Sequence, residues 1–307
     1  MDLILPDGLV ARPLTLDDAD AVCEVMAASE TFELGSAEIE AADILADWQR
    51  PSFDVAASTV GVFDGDRLVA YGEWSGGDRS DAAVHPDHHG RGIGTAVAGW
   101  VRARARERGQ TVVGMPVPRG GTGDRLLAAL GYRVRWTSWV LALPESAEIP
   151  DRPLPPGYRA APATPEQYPS CHAVLEDAFL EWSVRERESY DDFLARTTLR
   201  PGFEPWMIRA VTDPSGDVVA VAVVVLADLN VLEGYVDRLA TRADQRGRGL
   251  AQALLVDAFA AARAQGAVRS ALSTDSRTGA LGLYEKVGMV VTQTWVNRAA
   301  DLTAPVV

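Results

Sequence analysis

The chain has 307 residues, 47% hydrophobic and 23% charged, with a net charge of −14 and a pI near 4.7. That length fits two domains, each able to bury a core. The acidic balance lacks the basic face that a nucleic-acid binder needs; it favours solubility and leans towards a cationic substrate.

Taken in chain order, the N-terminus (MDLILPDGLVARP) has no basic leader and no long apolar stretch, so no export signal is expected. A short strand (LVARPL) precedes two helix-like regions, Leu16 to Ala28 and Ala37 to Trp48. Two apolar strands follow, STVGVF and RLVAYGEW, joined by the turn sequence FDGDR. A glycine-arginine run from His88 (HHGRGIGTAV) then opens an alanine-rich helix. A strand (TVVGMPV), a short helix ending in Leu-Gly-Tyr and a last strand (VRWTSWVLAL) complete the first half.

Pro144 to Gly157, with four prolines from Pro150 onward, forms a stiff connector. It places the expected boundary at 148, with domains at 1–148 and 149–307. After it the same plan repeats: a strand (YRAAPA), helix-like regions at Pro165 to Leu180 and Tyr190 to Leu199, and strands WMIRAVT and DVVAVAVVVLA. A second run, QRGRGLAQAL from Gln245, again opens an alanine-rich helix, followed by a strand, a short helix ending in Val-Gly-Met, and a strand. Self-similarity of this kind is read as a duplication. The expected fold class is α/β (α+β), two tandem copies of a mixed, mostly antiparallel sheet with helices on both faces. Val218 to Ala227, the longest apolar run, is too short to span a membrane and reads as a buried strand. A cytoplasmic protein with no membrane partner is expected.

The two glycine-rich runs carry the chemistry. Each follows a strand and opens a helix. Glycines let the backbone turn tightly and approach a ligand, and the free N–H groups at a helix start carry partial positive charge suited to a pyrophosphate. The spacing is neither a dinucleotide fingerprint nor a Walker loop. His85, His88 and His89 cluster beside the first run but lack the further ligand and closed shell of a zinc site, so no metal is expected. No Ser/His/Asp order points to a hydrolase. Cys23 and Cys171, one in each half, suggest buried thiols rather than a disulfide framework.

Arg246-Gly247-Arg248-Gly249-Leu250-Ala251 resembles the acyl-CoA pyrophosphate loop of the GNAT N-acetyltransferases, Gln/Arg-x-x-Gly-x-Gly/Ala, matching at Arg246, Gly249 and Ala251. The first run, His89-Gly90-Arg91-Gly92-Ile93-Gly94, keeps both glycines of the pattern with His89 at its first position. ALGLYEKVGM, Ala280 to Met289, resembles the family's A-x-x-LYEK-x-GF helix. The resemblance covers nearly the whole chain, twice, and the tandem arrangement resembles the mycothiol synthase branch.

The resemblance implies transfer of an acetyl group from acetyl-CoA to a primary amine of a small molecule; the alternative is a non-catalytic tandem acyl-CoA-binding sensor or scaffold, which would have no need of a proton donor. Tyr284 takes the family's proton-donor position, and a phenol is suited to protonating a departing thiolate. YVDRLATRADQRGRG puts Asp237 at the family's strand carboxylate, with Glu233 as the alternative base on the same side of the strand. The backbone of Leu239, Ala240 and Thr241, and of Val84 in the first copy, is expected along the pantetheine arm. The family's helix-start Asn is replaced by Arg277 or Ser276. Leu127 stands where Tyr284 stands, and Ser80 where Asp237 stands, with Asp81 adjacent. The first half is therefore expected to be catalytically degenerate and structural or ligand-holding. Acids and aromatics mingle from Glu176 to Phe193, the family's acceptor wall, and Glu181 and Trp182 are the acceptor-contact candidates. A monomer or homodimer is expected.

Overall fold

In the computed structural model residues 3–145, 147–228 and 231–303 are described. The first two residues of the N-terminal segment, Ser146 of the connector and the last four residues of the second half lie outside them. The chain forms two compact units. The first comprises 1–138 together with 294–307, and the second comprises 139–293. The expected cut at 148 is therefore displaced to 138, and the C-terminal strand belongs mostly to the first unit. The halves are alike in pattern, so which unit takes the final strand is not written in either half.

The first unit contains β1 (Leu9–Arg12), α1 (Ala19–Leu34), α2 (Ala41–Trp48), the single turn α3 (Val55–Ser58), β2 (Thr59–Asp64), β3 (Arg67–Gly76), β4 (Arg79–Val84), α4 (Ile93–Glu107), β5 (Val112–Pro118), α5 (Thr122–Ala129) and the start of β6 (Arg133–Leu143). The first helix runs six residues beyond the expected Ala28 and stops at Gly35, whose φ of 87° suits glycine. β1 to β4 pair antiparallel in sequence order, and β4 meets β5 in parallel.

The second unit holds the rest of β6, then β7 (Arg159–Pro162), α6 (Tyr168–Leu180), α7 (Tyr190–Arg196), β8 (Ile208–Thr212), β9 (Val218–Asp228), β10 (Leu232–Thr241), α8 (Leu250–Ala264), β11 (Arg269–Asp275), α9 (Leu281–Glu285) and the first residues of β12 (Val290–Asp301). Residues Trp295 to Asp301 of β12 pair antiparallel with β5, in the first unit. β7 to β10 are antiparallel neighbours, and β10 meets β11 in parallel. This is the expected mixed sheet in each copy.

Helices cover both faces because β9 is apolar from Val218 to Ala227 and the middle of β3 from Leu68 to Tyr71. On β9, Ala220, Ala222 and Val224 pack with Leu254, Leu255, Ala258 and Phe259 of α8. The intervening Val221 and Val223 pack with Cys171, Val174 and Leu175 of α6. This alternation is the period of two of a strand, and it needs apolar residues on both sides, which explains the run from Val218. In the first unit Leu68 and Tyr71 meet α1 and α2, whereas Val69 and Ala70 lie in the cluster with Ile93 and Val97 of α4.

Candidate functional site

The parallel ladder of β10 and β11 is short. It runs from Glu233 opposite Arg269 to Val236 opposite Leu272. β10 continues to Thr241 on its other edge, against β9, after a bulge at Asp237. Beyond the bulge the two strands part, and β10 offers Leu239, Ala240 and Thr241 along the opening. A bulge re-aims side chains and ends pairing. Asp237 is the unpaired bulge residue. Its side chain is 46% exposed, with Oδ2 3.4 Å from Arg238 Nε.

β10 ends in a single 3₁₀ turn, Ala243–Gln245, and the loop that opens α8. Gly247 and Gly249 take φ values of 75° and 81°, and nothing lies within 4 Å of where a Cβ would project from either. The left-handed Gly249 caps α8, whose first-turn N–H groups have no acceptor within the helix. Arg248, Leu250 and Ala251 complete this turn. Arg246 donates from Nε to the carbonyl of Thr241 at 3.1 Å. Its other two nitrogens grip both carboxylate oxygens of Glu181, at 2.6 and 2.8 Å. Glu181 follows α6, and its neighbour Trp182 lies beneath the Arg277 guanidinium, 4.8 Å from the ring centroid. The end of α6 thus touches both lips of the opening.

Both residues suggested for the acceptor are engaged within this unit. The same holds for much of the acidic wall. Arg185 takes the buried Glu176 at 2.6 Å, Arg187 pairs with Asp177, and Glu188 accepts from Arg238 at 2.8 Å and Arg196 at 3.2 Å. Local arginines thus pair with Glu176, Asp177, Glu181 and Glu188 of this wall. Burial alone would raise Glu188, but Arg238 and Arg196 hold it down at about 2. Glu233, the alternative base, lies at the start of β10 in an ion pair with Arg269 at 2.7 Å.

Tyr284 lies on α9, within the core of the second unit and 8% exposed. Burial pushes its phenol up to about 12, while a hydrogen bond with the Thr274 side chain pulls the other way. It therefore stays protonated at neutral pH. Thr274 has no distinguishing signal in the sequence, because its strand RSALSTD also carries Ser270 and Ser273.

One observation tests the fit of a CoA pantetheine arm. The Thr241 hydroxyl is buried without a hydrogen-bond partner, at the strand end expected to line that arm. Buried hydroxyls are normally paired. An amide-bearing ligand in the opening fits this group, and the free N–H groups above it fit a pyrophosphate.

The first unit repeats the frame with other contents. Gly90 and Gly92 have φ values of 74° and 83°, and Gly92 caps α4 as Gly249 caps α8. His89 bonds the carbonyl of Val84 through Nε2 at 2.9 Å and meets the edge of Phe32 at 5.5 Å between centroids. Arg91 lies 2.8 Å from His88. Ile93 is core, and a Cβ on Gly94 would meet Leu126 at 2.8 Å. Val84 stands at the position of Thr241 and Leu127 at that of Tyr284, but Ser80 pairs with Trp74 as Val236 pairs with Val224, so the bulge residue Asp237 has no counterpart in the first unit; Ser80 is buried and donates to the carbonyl of Gly114 at 3.1 Å. Asp81 is half-buried, and desolvation raises it while the Tyr71 side chain pulls the other way. Directly opposite it in the ladder lies Glu73, which accepts from Trp48 Nε1 at 2.8 Å. Burial pushes Glu73 up to about 7.

The wider comparisons agree with this duplicated frame. The model of the acetyltransferase (GNAT) family matches residues 21–119 and again 169–289. A mycothiol acetyltransferase of Salinispora arenicola is 32% identical over 233 residues, 71% of each chain. One from Salinispora tropica is 30% identical over the same share. Among solved structures, a GCN5-related N-acetyltransferase from Sphaerobacter thermophilus has a TM-score of 0.75 at 26% identity, covering 99% of this chain and 98% of that one. A tandem GNAT protein from the clavulanic acid biosynthesis pathway shares the fold with a TM-score of 0.71 at 17% identity, covering 97% of this chain and all of that one. Among the described residues no helix is long and apolar enough to cross a membrane. The chain belongs to the GNAT acetyltransferase family and is an acyl-CoA-dependent N-acetyltransferase that uses acetyl-CoA.

Proposed function

We propose that the second unit carries the reaction, moving the acetyl group directly onto a primary amine of a small molecule in the cytoplasm. One contrast carries this reading. The two loops share a backbone, but only the second unit has a phenol, Tyr284, where the first has Leu127. The loop from Arg246 to Ala251 takes the pyrophosphate of acetyl-CoA, and Leu239, Ala240 and Thr241 hold its pantetheine arm. Acetyl-CoA supplies the activated thioester. Asp237, exposed on the bulge where the strands part, accepts a proton from the incoming ammonium. Glu233 is the poorer base because Arg269 already occupies it. Tyr284 gives its proton to the departing sulfur. The first unit supports the fold and has neither proton-transfer group.

Desacetyl-mycothiol is the first acceptor to try, because the curated relatives that match are mycothiol acetyltransferases. Purified protein with acetyl-CoA would be given desacetyl-mycothiol, glucosamine or spermidine, and the products weighed by mass spectrometry. Acetylation of one amine, matched one to one by free CoA, is the expected result. Transfer to none of the three would remove this acceptor class. An acetylated protein formed without amine would replace direct transfer by a covalent route.

A further inference from the structure

The segment that leaves α6 is tied at both ends, and the two ties differ in kind. At the far end Glu188 and Arg238, with side chains 9% and 8% exposed, lie 2.8 Å apart, and Arg196 adds a second cation at 3.2 Å. The N–H of Glu188 also bonds the buried Glu176 at 2.8 Å, and its carbonyl lies 2.9 Å from His172 Nε2. At the near end Glu181 and Arg246 are each 45% exposed. Val184, between the ends, is fully exposed. Breaking a buried pair strands a charge, whereas an exposed pair is worth little. The far end is therefore an anchor and the near end a latch.

The latch closes on the cofactor loop. Arg246 has all three guanidinium nitrogens engaged within the unit: Nε with the carbonyl of Thr241, and both Nη atoms with the carboxylate of Glu181. A pyrophosphate at the head of α8 would bring further negative charge to a guanidinium whose partner is already an anion. Carboxylate and phosphate are held by the same forked edge of arginine, so that edge serves one of them at a time. The loop backbone does not need the pair. Phe32 lies as far beyond the capping Thr15 as Glu181 lies beyond the capping Thr164, and it meets His89, the counterpart of Arg246, with no charge between them. Gly92 still caps α4 there as Gly249 caps α8.

We propose that Glu181 competes with acetyl-CoA for Arg246, and that the carboxylate displaced by the pyrophosphate receives the ammonium of the acceptor. This rests on the reading of Arg246 to Ala251 as the cofactor loop. Until the cofactor arrives, Glu181 holds one lip of the opening, while Trp182, edge-on to Phe179 at 5.6 Å between centroids, lies beneath Arg277 on the other. The pyrophosphate takes the Nη edge, and the end of α6 is released while Glu188 keeps the segment anchored. Glu176, Asp177 and Glu188 keep their arginines, so the charge that the cofactor uncovers is that of Glu181. It draws the ammonium into the opening, where Asp237 takes the proton. Each substrate thereby favours the other, because a coupling between two binding events is reciprocal.

The test is Glu181→Gln, which keeps the shape and removes the charge. In a calorimetric titration acetyl-CoA should bind this variant about fivefold more tightly than the wild type, the upper scale of one exposed ion pair. In an Arg246→Ala background Glu181→Gln should change nothing further, whereas a general repulsion between the acid and the cofactor would persist there. In turnover, KM for desacetyl-mycothiol should rise about tenfold in Glu181→Gln, the loss of one charge-assisted contact, although acetyl-CoA binds more tightly. Opposite changes for the two substrates are not what a loosened fold produces. Unchanged or weaker acetyl-CoA binding, a gain that persists without Arg246, or an unmoved KM would each overturn the proposal. An Arg246→Ala variant with full acetyl-CoA affinity is a different failure, because it removes the loop assignment itself.

Discussion

At the head of α4, His89 reaches back to the carbonyl of Val84; at the head of α8, Arg246 reaches back in the same way to that of Thr241. Each is then met by the end of a helix: Phe32 of α1 lies edge-on to His89, and Glu181 after α6 grips Arg246. The next residue in each case touches the other lip, Glu33 accepting from the N–H of Thr122 at 2.8 Å and Trp182 stacking with Arg277. One frame has been kept and its contents exchanged, charge in the second unit for aromatic and apolar groups in the first. The strand below shows the reverse. Asp81, among buried acids, stands where Arg238 pairs with Glu188. Backbone geometry and site chemistry are therefore separable in this duplication, and retention of a loop is no measure of retained catalysis.

The largest expected effect breaks the strand comparison. Arg238→Met should destabilise the protein by roughly 3–5 kcal/mol, because Glu188 is left buried with only Arg196. Asp81→Asn should be neutral or stabilising. Urea unfolding at neutral pH would show both. If Arg238→Met costs under about 1 kcal/mol, the pair is as weak as an exposed one.

The acids of the first unit also set a pH dependence of opposite sign. Glu73 has a folded value of about 7 against an ordinary glutamate value of 4.5. Its contribution to stability is fully present below about 4.5 and is lost as pH rises through about 7. Glu188 is the opposite case: its contribution is present above 4.5 and is lost as pH falls through about 2. Melting temperature should thus fall between pH 5 and 8, and Glu73→Gln should flatten the fall by an amount on the order of 3 kcal/mol. A wild-type curve that rises over this range would refute the assignment.

Tyr284→Phe should lower turnover by roughly a hundredfold or more and leave acetyl-CoA affinity nearly unchanged, while Leu127→Ala should affect stability and not the rate of the bound complex. Smallest is the loop comparison. Arg246→Ala should weaken acetyl-CoA binding by about tenfold, one charge-assisted contact net of the freed Glu181. His89→Ala should leave affinity and stoichiometry unchanged in a calorimetric titration. An equal loss in both would mean that both loops hold cofactor.

The duplication was legible because glycine spacing and turn chemistry are local. So was the loop as a strand-to-helix turn, whose left-handed glycines are close together in sequence. Glu181 could not be placed, since its partner Arg246 is 65 residues away. Nor could Glu73: one acid in RLVAYGEW looks like a solvent-facing strand position, and only Trp48, from another helix, shows it buried. The crossing of β12 is a choice between two nearly equivalent sheet edges, which no local pattern decides.

That crossing has a consequence for biosynthesis. β5 finds its antiparallel partner in Trp295 to Asp301. A ribosome adding about 5–20 residues per second must translate the whole second unit before this strand emerges. For roughly ten seconds or longer, the nascent first unit has an open sheet edge, a hazard that folded proteins usually cover. The half made first is finished last.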